Sequence, residues 1–291
     1  MEAELLQRIR SLPGTELIGD DAAVIGDRII TVDMLTEGVD FILAETDPKW
    51  IGRKALAVNL SDIAAMGGVP RWIFIAVALP RNGAMELAEQ LFAGMKPLID
   101  RYNLILAGGD TNTGDSGLVV SITVIGCVSE RGVFCRSGGK AGDRILVTGK
   151  LGGSILQHQF RFEPRIDEAL HLNEHYEIHS AIDISDGLTL DLHRLATESR
   201  LGATLLESAI PIAEDAITLS QQSGRSPLEH ALSDGEDFEL LFSVAPQEAE
   251  KLLSLQPFPL YDIGELTAKS GLRIVTADGI TKPLMPQGFE H

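Results

Sequence analysis

Rings and sulfur are scarce in this chain. Only 5% of its 291 residues are aromatic, and its two cysteines, Cys127 and Cys135, supply neither a secreted disulfide framework nor a complete zinc site. At 44% hydrophobic the chain can still bury a sizeable core, built of aliphatics rather than rings. Positive charge is short as well. Lys and Arg number 24 against 42 Asp and Glu, and the resulting formal charge of −18 opposes nonspecific binding to nucleic acid or an anionic membrane. The start, Met1-Glu2-Ala3-Glu4, lacks the basic residues and apolar stretch of a signal peptide. No apolar run is long enough to cross a bilayer; Trp72 to Leu79 is strand-sized. These absences point to a cytoplasmic enzyme.

Familiar nucleotide and hydrolase signatures are missing too. The chain has no G-x-x-x-x-G-K-[ST] loop, no G-x-G-x-x-G fingerprint, no G-x-S-x-G elbow, and no H-R-D or D-F-G element. A nucleotide held here needs another scheme.

What the sequence does contain is a recurring aspartate at the end of an apolar run, beside glycine or a small hydroxyl residue. Asp20 and Asp21 follow Ile18-Gly19, Asp33 follows Ile29 to Val32, and Asp62 follows Val58 to Ser61. Asp110 follows Leu104 to Gly109, and Asp183 and Asp186 frame Ile184-Ser185 ahead of Gly187. Apolar runs of this kind read as buried strands, and α/β proteins place ligands at strand ends. Carboxylates gathered there without cations repel one another and resist desolvation. Several hard divalent ions bridged by a polyphosphate would keep them ionised. The reading from residues alone is a magnesium-dependent nucleotide enzyme.

Along the chain, helical spacing runs from Glu2 to Leu12, and Asp47-Pro48 starts a helix that stops at Gly67-Gly68. Strands are expected at Arg28 to Asp33, Trp72 to Leu79, Leu104 to Ala107 and Leu118 to Val128, with a helix over Ala84 to Tyr102. A glycine-rich, charged stretch from Arg131 to Asp143 reads as a join, and α/β alternation resumes beyond it. Two α/β domains are expected, residues 1–136 and 137–291. His171, His175 and His179 recur at i, i+4 and i+8, which would stack three imidazoles on one helix face; a solvated polar face is the preferred reading. Asn59, three residues before Asp62, would either orient that carboxylate or satisfy a buried backbone group.

The ordered combination resembles the thiamine-monophosphate kinase family. The residues that carry the likeness are Gly19-Asp20-Asp21-Ala22-Ala23, Thr31-Val32-Asp33, the block from Lys54 to Gly67, Gly108-Gly109-Asp110-Thr111 and Arg136-Ser137-Gly138. Pro164-Arg165, Asp183 to Leu188 and Gly235 to Phe242 continue it. The resemblance implies the two-domain α/β fold of aminoimidazole ribonucleotide synthetase and selenophosphate synthetase. In that fold an N-terminal mixed sheet forms a dimer barrel beside a C-terminal α/β domain. It also implies ATP-dependent phosphorylation of thiamine monophosphate to thiamine diphosphate by a homodimer using several Mg2+ ions. Carried across, Asp21, Asp33, Asp62, Asp110, Asp183 and Asp186 would be magnesium ligands, with Thr31 and Thr111 assisting. Gly109, Asp110, Arg136 and Ser185 would contact ATP, while Glu236 and Phe289 would meet the thiamine substrate. No general base is expected, because the acceptor phosphate is already ionised near neutral pH.

Two positions depart from the family. Asp40 stands in Glu37-Gly38-Val39-Asp40 where the family has a substrate-contacting histidine, and Asp234 precedes Gly235-Glu236-Asp237 where the family has glycine. Both add negative charge on the acceptor side, and Asp40 is expected to remain in the acceptor pocket. Two other readings stand beside the kinase: a different ATP-dependent enzyme of the same superfamily, or a non-catalytic nucleotide- and magnesium-binding protein.

Overall fold

The computed structural model describes residue 5 and residues 8–289. The helix expected over Glu2 to Leu12 falls partly outside them; of its described residues, 5 and 8–10 are helical. Strands β1 (Ala23–Ile25), β2 (Arg28–Thr36), β3 (Val69–Pro80), β4 (Ile105–Gly114) and β5 (Val119–Cys127) form the first sheet, in the order β1-β2-β5-β3-β4. All its pairs are antiparallel except β3 with β4. On strand β5, Val120, Ile122 and Val124 alternate into the core, with Ser121 and Thr123 turned the other way. One face of the sheet packs on helices α1 (Pro48–Ala65) and α2 (Ala84–Arg101). On β2, Val32 and Met34 are each 62% exposed, and edge strand β4 is exposed along nearly its whole length.

Helix α1 starts where expected. The Asp47 carboxylate accepts from the Lys49 N–H at 2.9 Å, and Pro48 takes the first turn, where a missing N–H costs nothing. At the other end Gly67, at φ 63°, donates to the Ala64 carbonyl, and Gly68 donates to Ile63. Nearly every residue between Ile51 and Ala65 is buried, because the first sheet, α2 and elements from the second half surround the helix. Gly52 and Gly94 allow α1 and α2 to touch backbone to backbone. A Cβ on either would strike the other helix's carbonyl, at Leu91 or Lys49.

The second sheet has the order β12-β11-β8-β10-β6-β9-β7. Its strands are β6 (Arg144–Val147), β7 (Ile178–Asp183), β8 (Gly202–Leu206), β9 (Leu240–Val244), β10 (Tyr261–Thr267), β11 (Gly271–Val275) and β12 (Thr281–Leu284). On β6 and β9 alternate residues serve two cores. Ile145, Val147 and Leu241 pack with α5 (Leu188–Glu198), while Leu146, Leu240 and Phe242 join the core that continues into the first half. Between β6 and β7 lie α3 (His158–Arg161) and α4 (Ile166–His175); α6 (Glu214–Ser223), α7 (Pro227–Ser233) and α8 (Pro246–Leu255) follow α5.

Several expected positions change. Asp33 and Asp110 do not close their strands: β2 runs on to Thr36 and β4 to Gly114, so both lie within strands. Asp62 lies in the last turns of α1, as the helix expected from Asp47-Pro48 to Gly67-Gly68 implies, although its apolar run also reads as a strand. The three-histidine helix face does not form, because α4 ends at His175 and His179 lies on β7, paired with Asp143 at 2.8 Å. His171 and His175 do meet, ring centroids 4.6 Å apart. No helix among the described residues is long and apolar enough to cross a membrane.

Candidate active site

Four chain segments bring carboxylates together where the two sheets approach. The loop before β1 supplies Asp21, β2 supplies Asp33, α1 supplies Asp62 and the end of β7 supplies Asp183. One oxygen from each of Asp21, Asp62 and Asp183 lies within 4.8 Å of the others, and no other such trio of His, Cys, Asp or Glu occurs among the described residues. Hydroxyls brace the cluster: Thr31 donates to Asp62, and Ser61 donates to Asp183 at 2.5 Å. Asn59 bonds the Ala55 carbonyl of its own helix, so of its two expected roles it fills the backbone one.

Burial without enough cations shows in the titration of these groups. Desolvation pushes Asp33 up to about 6, helped by Asp40 and Asp21 and opposed by a hydrogen bond with Asp62. Burial also raises Asp62 well above the ordinary carboxylate range, with Asp33, Asp183 and Asp21 adding repulsion. Asp183 rises for the same reasons, burial first and then Asp21. Arg136 offsets part of this charge. Its guanidinium meets Asp21 Oδ1 at 2.7 Å, and its backbone N–H holds Asp20. Asp21 Oδ2 is buried and takes no hydrogen bond from the protein. A crowded set of carboxylate oxygens with one bare buried oxygen fits a hard divalent cation such as Mg2+.

Asp186 and Asp110 stand apart from this trio. Asp186 pairs with Arg194, while the buried Asp191 accepts the N–H groups of Asp186 and Gly187. Burial and the nearby Asp186 push Asp191 up to about 7. Ser185 serves through its backbone, its carbonyl accepting from the Glu236 N–H at 2.7 Å. Asp110, exposed on β4, accepts from its neighbour Thr111 at 3.0 Å. Residues Gly108 to Thr111 line an open depression of about 400 Å3 with Ile75, Val77 and Leu106. Glycine is required at 109, since a Cβ there would meet the Ile75 carbonyl.

On the other side lie the residues expected at the acceptor. Glu236, held at φ 65°, pairs with Lys54 at 2.5 Å; burial raises its pKa and Lys54 opposes that rise. Asp40 turns its carboxylate back to the Thr36 N–H at 2.7 Å, and its carbonyl accepts from Lys54 at 3.0 Å. Phe289 is half exposed, its N–H bonded to the Asp186 carbonyl at 2.9 Å. Lys54, Asp191 and Arg194 carry contacts that motif reading left unassigned. For Lys54 the signal was a cation inside an apolar helical block.

The family models described as AIR synthase related protein, N-terminal and C-terminal domains, match residues 19–128 and 140–277. The architecture is therefore that of the two-domain AIR synthase related proteins. The chain is 41% identical to the thiamine-monophosphate kinase of Rhodopirellula baltica, over 99% of this chain and 95% of that one. It is 33% identical to that of Bacillus subtilis, with 94% and 92% covered. A solved structure of AaThiL complexed with AMPPCP and TMP superimposes with a TM-score of 0.88 at 28% identity, covering 100% and 96%. The chain belongs to the thiamine-monophosphate kinase family.

Proposed function

We propose that this chain transfers the γ-phosphoryl group of ATP to thiamine monophosphate, giving ADP and thiamine diphosphate. The observation that carries the reading is the junction of Asp21, Asp33, Asp62 and Asp183, packed against one another beside Arg136. In a chain of this family, such a set suits the polyphosphate end of a nucleotide. Asp21, Asp33, Asp62 and Asp183 would hold Mg2+, with Asp110 and Asp186 nearer the edges and Thr31 supporting Asp62. Bound there, the cation supplies charge neutralisation for two anionic reactants and for the oxygens that gain charge in the transition state.

The protein's own part is positioning. Arg136 and the backbone at Gly109 and Ser185 face the nucleotide, and Gly109 lets a phosphate chain come close to the strand. Glu236, Asp40 and Phe289 form the acceptor side, where the anionic Glu236 suits the cationic thiazolium ring. The incoming oxygen already carries charge, so an in-line attack needs alignment rather than proton removal. A second copy of the chain would cover the apolar face marked by Val32, Met34 and Phe74, giving a homodimer. We place the reaction in the cytoplasm and take residues 1–136 and 137–291 as its two units.

Incubation with MgATP and thiamine monophosphate tests this. ADP and thiamine diphosphate should appear in equal amounts without free phosphate. AMP, or ADP with phosphate and no thiamine diphosphate, would overturn the reading. Light scattering at micromolar protein should give twice the 31.4 kDa chain mass; the single mass would remove the second copy.

A further inference from the structure

Lys54 is fully buried, an unusual place for an ammonium group. It lies on α1, pairs with Glu236 Oε1 at 2.5 Å, and donates to Gln159 Oε1 at 2.8 Å and to the Asp40 carbonyl at 3.0 Å. The Phe160 ring closes over it, 5.1 Å from the nitrogen to the centroid. The acceptors come from three separate segments. Asp40 belongs to the turn after β2, Gln159 to α3 and Glu236 to the loop before β9. All three contacts converge on one nitrogen and fix its place together.

Glu236 needs such a fixture. Its backbone sits at φ 65°, a left-handed conformation that costs energy for a residue with a side chain. Burial disfavours its charge, and its side chain remains 30% exposed. One oxygen is thereby tied to the core by Lys54 while the side chain still reaches solvent. The same cation grips the backbone of Asp40, so residues on the acceptor side from both halves of the chain meet on one nitrogen.

We propose that Lys54 is the positioning residue of the acceptor site, anchoring Glu236 towards the thiamine moiety and fixing the Asp40 turn beside it. This rests on the kinase reading above. Lys54 does not touch the nucleotide side; it acts through Glu236.

The test is steady-state kinetics on the full chain with thiamine monophosphate and MgATP, using Lys54→Met, Glu236→Gln and the double variant. Losing one partner of a buried pair should raise the KM for thiamine monophosphate by about tenfold or more, with the KM for ATP changed less than about twofold. Since Lys54 acts through Glu236, the double variant should be no worse than the poorer single one. Lys54→Arg keeps the charge and should recover part of the loss, and it serves as the readout should Lys54→Met fail to fold. Equal rises in both Michaelis constants, independent multiplication of the two single effects, or a Lys54→Arg enzyme that matches the wild type while Lys54→Met folds and does the same, would overturn the proposal. A wild-type protein that makes no thiamine diphosphate would instead remove the kinase reading itself.

Discussion

Two sets of buried carboxylates in the molecule are treated in opposite ways. In the second half Glu239 receives two bonds from Arg165, at 2.6 and 2.7 Å, and one from Thr148 at 2.6 Å. Asp143 pairs with His179, Asp234 with His230 and Arg225, and Asp262 with Arg144. These four carboxylates are each matched by a cation or a ring nitrogen, as structural acids commonly are. Asp237 in the same half is not, being buried with one oxygen on the Gly152 N–H and the other bare. At the junction with the first half, Asp33, Asp62 and Asp183 lean on hydroxyls and on one another. Crowded like charge is retained only where something from outside completes it. The contrast separates acids that hold the fold from acids kept for a ligand.

Substitution should expose the difference most strongly at the cluster. Asp33→Asn and Asp62→Asn should each lower turnover by at least about a hundredfold, since each weakens charge neutralisation at the transition state. The same changes should raise the melting temperature of the protein kept free of divalent ions, because they remove repulsion. Asp110→Asn should cost as much turnover but leave that melting temperature alone, given its exposed place on β4. A cluster variant with near-normal turnover breaks the comparison. Glu239→Ala, by contrast, should destabilise the fold by about 2 kcal/mol in urea unfolding, because Arg165 loses its bidentate partner.

A smaller effect is expected at Asp40. Its carboxylate already caps the Thr36 N–H, so Asp40→Ala loosens the turn that Lys54 grips. The KM for thiamine monophosphate should rise about fivefold and that for ATP hardly at all, roughly 1 kcal/mol of acceptor binding. If both constants stay put, Asp40 is outside the acceptor pocket.

The smallest signal is in pH. Asp33 titrates at about 6 when folded, above its ordinary 3.8. Between those values the folded state holds more protons than the unfolded one, so stability falls as pH rises through the window. Protein free of divalent ions should therefore melt a few degrees lower at pH 7.5 than at pH 5, and millimolar Mg2+ should flatten or reverse the slope. An unchanged slope with Mg2+ would detach the metal from these acids.

Much of this was readable before any coordinates. The helix from Asp47-Pro48 to Gly67 and the strand around Trp72 to Leu79 follow from capping residues and runs of apolar side chains, both local signals. Asp21, Asp62 and Asp183 were named from their contexts and do converge. Strand ends were less legible. The glycines at 108 and 109 look like a stop, yet pairing with β3 carries β4 on to Gly114. Pairing is a long-range property and leaves no mark in neighbouring residues. Similarly, His179 shares a spacing with His171 and His175 but is claimed by Asp143, 36 residues away. Lys54 was visible as a charge in an apolar block, though its side-chain partners Gln159 and Glu236, more than a hundred residues distant, were not.

The glycine contact between α1 and α2 bears on how the protein breathes. With backbone against backbone at Gly52 and Gly94, neither helix can slide without the other. Lys54, Ser61 and Asp62 all ride on α1. Their amides should be among the slowest to exchange with deuterated solvent, opening only when the whole molecule does. Local fluctuation is then left to the exposed β4 edge. The floor of the site should stay as still as the core, with Glu236 held to it through Lys54.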